Sequence, residues 1–309
     1  MRARIRDFFV TLDNWAFAVA DYHHADGVRS MLRYVPDPSG ERIANGIKYR
    51  KLDFDDAFAF LRRIRPNYVR DLHVVPIEDI KQLYTPVEGL GRVMERDQRV
   101  NRIATVLADD GIPLREMGIT GSMLLDLHSQ SSDIDFVVYG PLWWRARDAL
   151  SQAKSDGRIQ DLDAAMWRRI YAKRKPEISF EEFVLHEKRK GNRGMIDGTY
   201  FDLLFTRDWD QIGPAPERGR TLGKRKIVAE VIDTEFAFDS PAIFKLEHSE
   251  INEIFCYSHT YAGQALPGET IEASGIVEET QSGCRLVVGT TREAKGEWIR
   301  SLTLLESGR

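Results

Sequence analysis

Cysteine is scarce: the 309 residues hold two, Cys256 and Cys284, far apart and in no CxxC pair. That excludes a disulfide scaffold and a cysteine-based zinc module, leaving reduced thiols in the interior as the expectation. Long apolar runs are missing, and none approaches the roughly 20 residues that cross a bilayer. The opening MRARIRDFFV is basic, but Asp7 and Asp13 interrupt its apolar stretch, so no signal peptide is expected and cytoplasmic residence is. The seven histidines are scattered, and only His23 and His24 adjoin, in the polar turn DYHHADG, which reads as solvated loop rather than metal site. Internal repeats and low-complexity tracts are absent. What remains is 42% apolar and 30% charged, a globular composition of a length that two or three domains serve better than one core.

The net charge of −4 hides an uneven distribution. Residues 1–144 carry −2, residues 145–226 carry +6 (nineteen basic, thirteen acidic), and residues 227–309 carry −8. Short β-branched and aromatic runs over residues 4–35 predict an antiparallel meander. LDFDDAFAFLRRI then predicts a helix capped by Asp53, with acids in its first turn and Arg62 and Arg63 in its last. From Pro86 to Asp110 one helical segment is predicted, with Val93, Val100, Ile103 and Leu107 on its apolar face and a stripe of Arg92, Arg96, Arg99 and Arg102 beside it that reads as solvated. LREMGIT and SDIDFVVYG read as strands, PLWWRARDALSQAK as a helix in which Trp143 and Trp144 pack, and RGMIDGTYFDLLFT as a hairpin turning at Asp197-Gly198. IGPAPERGRTLGKRK reads as an exposed basic linker, followed by short strands suited to a barrel or sandwich. The expected organisation is a small N-terminal α/β domain (1–85), an α/β catalytic domain with a mixed sheet and packed helices (86–226), and a C-terminal β-rich domain (227–309).

The chemistry concentrates in GITGSMLLDLHSQSSDIDFVVYG. Residues two apart on a strand face the same way, so Asp133 and Asp135 are presented together in an otherwise apolar segment. Buried side by side, two carboxylates cost several kcal/mol unless a cation compensates, and oxygen donors alone select Mg2+ or Mn2+ over zinc. A third carboxylate, Asp202, alternates with Phe201, Leu203 and Phe205 in a second strand. Three such groups can hold two ions about 4 Å apart, the arrangement of nucleotidyl transfer. Gly121 lets backbone approach a phosphate, and Ser122 adds an N–H and a hydroxyl at a helix N-terminus that favours anions.

TGS, SDIDFVV and YFDLLF, with ten residues between Ser122 and Asp133, resemble the signature of the DNA polymerase beta-like nucleotidyltransferases over roughly residues 90–206. The flanks resemble those of archaeal members with extra domains. The resemblance implies that Asp133, Asp135 and Asp202 bind metal, that Asp202 also helps deprotonate the acceptor hydroxyl, and that Gly121 and Ser122 hold the nucleotide phosphates. It also shows a departure. The minimal enzymes carry a basic segment and a second glycine after Gly-Ser, whereas this chain has MLLDLH, with Asp126 at the glycine position. LHEKRKGNRG, through Lys190 and Arg193, is a candidate substitute for nucleotide binding. The expected reaction is transfer of NMP from an NTP, ATP foremost, to a hydroxyl. The basic middle favours an RNA or tRNA-like end as acceptor. A protein or small-molecule acceptor of AMP, and a catalytically silent nucleotide- or RNA-binding adaptor, are the alternatives.

Overall fold

Alternation is clearest in Val28–Pro36, where Val28, Ser30, Leu32 and Tyr34 are buried and Arg29, Met31 and Arg33 are half-buried. The computed structural model describes residues 1–129 and 132–308, and every element below lies within them. The expected N-terminal meander is β1 (Phe8–Thr11), β2 (Ala16–Val19) and β3 (Val28–Pro36), extended by the hairpin β4 (Arg42–Ala44) and β5 (Ile47–Lys51). Helix α1 (Phe54–Ile64) follows with the predicted cap: the Asp53 carboxylate accepts from Asp56 N–H, and Ala57, Phe58 and Leu61 are buried. β6 (His73–Val75) and β7 (Ile80–Tyr84) complete a seven-stranded sheet ordered β4-β5-β3-β2-β1-β7, with β6 on β3.

The single helix predicted after Pro86 is two: α2 (Pro86–Arg96) and α3 (Gln98–Asp109). Asp97 separates them at φ −128° and ψ 105°. Its N–H closes α2 on the Val93 carbonyl at 2.8 Å, and its carboxylate caps α3 by accepting from Arg99 N–H at 2.9 Å. Aspartate's preference for capping outweighs the apolar periodicity that runs through it. β8 (Met117–Ile119), the one-turn α4 (Gly121–Leu124), β9 (Ile134–Tyr139) and α5 (Leu142–Ser155) then follow as anticipated. Trp143 is fully buried, edge-on to Phe205, which bears out packing.

Helices α6 (Ala164–Arg174) and α7 (Phe180–Lys190) precede the hairpin β10 (Arg193–Ile196) and β11 (Thr199–Thr206), which turns at Asp197 and Gly198, both left-handed. The second sheet is mixed, ordered β10-β11-β9-β8, with β9 and β11 parallel. The remaining strands are β12 (Arg220–Asp233), β13 (Ala242–Glu247), β14 (Ile251–Cys256), β15 (Thr270–Thr280), β16 (Gly283–Val288) and β17 (Trp298–Ser301). Their order β12-β13-β14-β16-β15, closed by pairing of β12 with β15, makes a barrel, with β17 added to β15. After β17 comes α8 (Leu302–Ser307), started by the Ser301 hydroxyl accepting from Leu304 N–H.

The chain divides into two compact units: residues 1–160 with 192–215, and residues 161–191 with those from Pro216 on. This division does not follow the expected boundaries. The N-terminal sheet shares one unit with the mixed sheet because Phe8, Tyr34 and Tyr49 build a common core with Leu124, Leu125 and Leu127. In the second unit, α7 is bound to the barrel by Arg300 on Glu182 at 2.6 Å and by Ser301 N–H donating to His186 Nε2 at 2.9 Å. Part of the basic linker is strand: Arg220 pairs with Glu279, Arg225 with Glu250 and Lys226 with Glu272. The acidic excess of the barrel is thereby met by the basic segment before it. Charges on both faces of β12 conceal its period of two.

Candidate active site

The parallel pairing of β9 and β11 puts Asp135 and Asp202 opposite each other in register. Asp133 stands just before β9, half-buried, and its charge reaches Asp135. Burial, reinforced by Asp202, pushes the Asp135 carboxyl up to about 6, with Arg6 pulling the other way and Asp133 adding to the rise. Two of the three expected aspartates are thus strand neighbours, and the third acts on the same carboxylate. Asp202 is already engaged: Arg193, its partner across the hairpin, donates Nε–H to Asp202 Oδ1 at 2.7 Å, with both side chains nearly buried. Among the described residues, no three His, Cys, Asp or Glu side chains stand ready as a metal-holding group.

The Gly-Ser turn adjoins Asp135. Thr120 N–H donates to the Asp135 carbonyl at 3.0 Å, fixing the end of β8 on β9. Gly121 follows at φ +69°, and a Cβ there would lie 2.5 Å from Asp135 Oδ2. Glycine is required twice over, by the left-handed backbone and by the carboxylate beside it. The phenol of Tyr34, which burial holds above its ordinary range, lies close enough to Ser122 and Asp135 to feel both. Tyr34 belongs to β3, so the N-terminal sheet forms one wall of this site, and sequence reasoning missed that. It also missed Arg6 and Lys51, the basic side chains that act on Asp135.

The other expected basic groups have structural partners. Lys190, in the second unit, is 2% exposed and donates to Glu187 Oε1 at 2.5 Å and to the Thr260 carbonyl at 2.7 Å. Arg189 likewise binds Glu269 and the Gln264 carbonyl. The arginine stripe is spent on neighbours: Arg92 on Asp126, Arg99 on Asp97 and Thr199, and Arg102 on Asp197. His23 and His24 hydrogen-bond the Gly213 and Ala3 carbonyls.

Residues 100–189, which include Gly121, Ser122, Asp133 and Asp135 but stop short of Asp202, match the nucleotidyltransferase domain family. An uncharacterised protein of Methanocaldococcus jannaschii is 40% identical across 97% of this chain and 99% of its own length. The chain belongs to the nucleotidyltransferase family. No solved structure matches it. In this chain the departure after Gly-Ser has a local explanation. Asp126 sits at φ +55°, the conformation that a glycine would supply, and aspartate is among the few other residues that tolerate it. Its carboxylate is gripped by Arg92, whose other nitrogen donates to the Leu124 carbonyl at 2.8 Å. No described helix is long and apolar enough to cross a membrane.

Proposed function

We propose that this chain transfers NMP from an NTP, ATP in the first instance, to a hydroxyl acceptor at the site formed by Gly121, Ser122, Asp133, Asp135 and Asp202. The register pairing of Asp135 with Asp202 beside a glycine turn carries the reading: two like charges on adjacent strands, facing backbone that a phosphate can approach. Carboxylate oxygens are donors for a hard divalent cation, and burial with Asp202 opposite raises the Asp135 carboxyl, a cost that a cation relieves. Asp133, Asp135 and Asp202 would hold Mg2+ or Mn2+, which supplies charge neutralisation for the triphosphate and acidity to the acceptor hydroxyl.

The chain's own groups do the rest. The Ser122 N–H and hydroxyl orient the triphosphate, and Gly121 leaves it room. In the reaction the acceptor oxygen bonds to the α-phosphorus, the bond from that phosphorus to the bridging oxygen breaks, and pyrophosphate leaves. The acceptor's proton passes to the Asp202 carboxylate, which the Arg193 hydrogen bond holds in place.

The acceptor follows from less. An RNA end agrees with the basic middle of the sequence. A protein or small-molecule hydroxyl is favoured by a specific observation, the pairing of Arg220, Arg225 and Lys226 with acids of the barrel. Incubation of the protein with each α-labelled NTP, Mg2+, total RNA and total protein separates the two. Label in the RNA pool supports the first acceptor and label in the protein pool the second. Label in neither pool, with tight NTP binding and no pyrophosphate released when a small-molecule extract is added, would point to a silent adaptor and refute transfer.

A further inference from the structure

We infer that Arg6 is a triphosphate-binding residue of this nucleotidyltransferase, carried onto the site by the N-terminal segment in place of basic side chains after Gly121-Ser122. This rests on the nucleotidyl-transfer reading and names a residue that the reading does not need.

The backbone is the first observation. Residues 4–7 form a turn closed by Asp7 N–H donating to the Arg4 carbonyl at 3.0 Å, with the Asp7 carboxylate accepting from Arg4 N–H at 2.9 Å. Arg6 occupies the third position at φ +81°. A turn with positive φ at that position is ordinarily filled by glycine, because a side chain there is strained. An arginine at a glycine position disfavours the turn, so its presence points to work done by the side chain.

Its surroundings are the second. Thr120, the residue before Gly121, donates its hydroxyl to the Arg6 carbonyl, and the separation is 2.5 Å. Arg4 fixes the same segment by donating to the Arg207 carbonyl at 3.0 Å and stacking over the Tyr139 ring at 3.8 Å, at the far ends of β11 and β9. The turn is therefore bolted to the strands that carry the aspartates and the glycine. The Arg6 guanidinium acts on Asp135, and its Nε is buried without a hydrogen-bond partner among the described residues. Orphaned buried donors are rare and call for an explanation, which an anion supplies.

The third is charge. MLLDLH offers no lysine or arginine, Arg92 is held by Asp126, and Arg193 by Asp202. A triphosphate entering beside Gly121 meets Arg6, whose carbonyl is tied to Thr120 just before that glycine. A guanidinium is suited to it, as a rigid fork of donors that stays charged at any working pH.

Isothermal titration of adenosine, AMP, ADP and ATP in Mg2+, with the full chain as wild type, Arg6→Gly and Arg6→Lys, tests this, together with thermal melts of the ligand-free proteins. Arg6→Gly is the informative variant because glycine suits the turn. The expectation is a wild-type affinity that rises from AMP to ATP, and at least about tenfold weaker ATP binding in Arg6→Gly. Adenosine binding should be unchanged, the ligand-free melting temperature equal or higher, and ATP binding in Arg6→Lys intermediate. Equal ATP binding by wild type and Arg6→Gly overturns the role of Arg6 and leaves the nucleotidyl-transfer reading standing. A fall in melting temperature that accompanies loss of binding to every ligand makes Arg6 a scaffold residue and also overturns it. A wild type that binds ATP no better than adenosine overturns both.

Discussion

In the first unit Asp135 and Asp202 stand opposite each other on adjacent strands, like charge facing like. In the second, Glu187 and Lys190 stand one helical turn apart, both about 2% exposed, and close on each other at 2.5 Å. Burial raises the carboxyls of Asp7, Asp135 and Asp208 in the first unit, although Arg29 and Arg99 lower those of Asp71 and Asp97 there; in the second, hydrogen bonds and basic neighbours outweigh burial and lower those of Glu182 and Glu272. A buried ion pair with both partners present is a structural device, and removing one partner is what costs stability. Buried like charges are a cost carried in the ligand-free state, and such costs mark places where something binds.

The largest effect expected from that difference is at the aspartates. Changing Asp133 and Asp135 together to Asn removes the repulsion and the donors at once, so labelled-NTP transfer should fall by at least about a thousandfold while the ligand-free melting temperature stays level or rises. A variant that melts several degrees lower and keeps its activity would make these carboxylates structural, like Glu187. The reverse holds for Lys190. Lys190→Met strips Glu187 of its short ion pair, leaving Arg174 at 3.6 Å, and should destabilise the second unit by up to about 3–5 kcal/mol in denaturant titration, with ATP affinity unaltered where the protein is folded. Undiminished stability with weakened ATP binding would instead return Lys190 to the nucleotide site.

Acid should separate the units by sign. His186 is fully buried, with one ring nitrogen on the Glu182 carbonyl at 2.7 Å and the other accepting from Ser301 N–H. Burial depresses its pKa from 6.5 to about 4, so the stability it contributes is complete above 6.5 and is lost as pH falls toward 4, on the order of 3 kcal/mol at the limit. Asp7 runs the other way: burial raises it from 3.8 to about 7, and the stability tied to its proton is present below 3.8 and lost as pH rises through 7. Hydrogen exchange, corrected for intrinsic rate, should show α7 and β17 losing protection between pH 6.5 and 4.5 while β1 and β2 hold theirs better. His73, depressed to about 4 in the first unit, narrows the gap. Equal losses in both units would remove the distinction, and a flat profile for α7 in His186→Gln would sharpen it.

The elements of the candidate site were legible because their signals are local. A glycine turn, a DxD strand and an alternating strand each declare themselves within a few residues, and so does the Asp197-Gly198 hairpin. What was not legible depends on partners far along the chain. Arg193 reads as a free cation until β10 and β11 pair it with Asp202. Lys190 carried a warning in its own helix, since Glu187 lies three residues before it, the spacing at which helical charges meet. Tyr34 belongs to a sheet, and Arg6 to the turn that leads into it, whose sequence says only that it is a meander, and nothing local says which wall it lines. Asp97 and β12 failed for a different reason: in both, polar residues interrupt or cover the apolar period, and capping or cross-strand charge decides the geometry.

Asp126 gives the smallest and most finely balanced expectation. At φ +55° it pays a backbone cost that glycine would not, and it recovers this through Arg92, whose guanidinium also ties down the Leu124 carbonyl behind the Gly-Ser turn. Asp126→Gly relieves the first and forfeits the second. Because the pair is about one-third exposed on each side, its contribution is at most about 1 kcal/mol, similar to the strain removed. Chemical denaturation should therefore move by less than about 1 kcal/mol in either direction. ATP affinity should hold or improve slightly, since Arg92 is released toward the turn. A loss of several kcal/mol would show that the ion pair holds α4 in place and would put Asp126 among the satisfied charges typical of the second unit. A clear gain in ATP affinity would show instead that this aspartate holds back a cation that the glycine-bearing relatives leave available to phosphate.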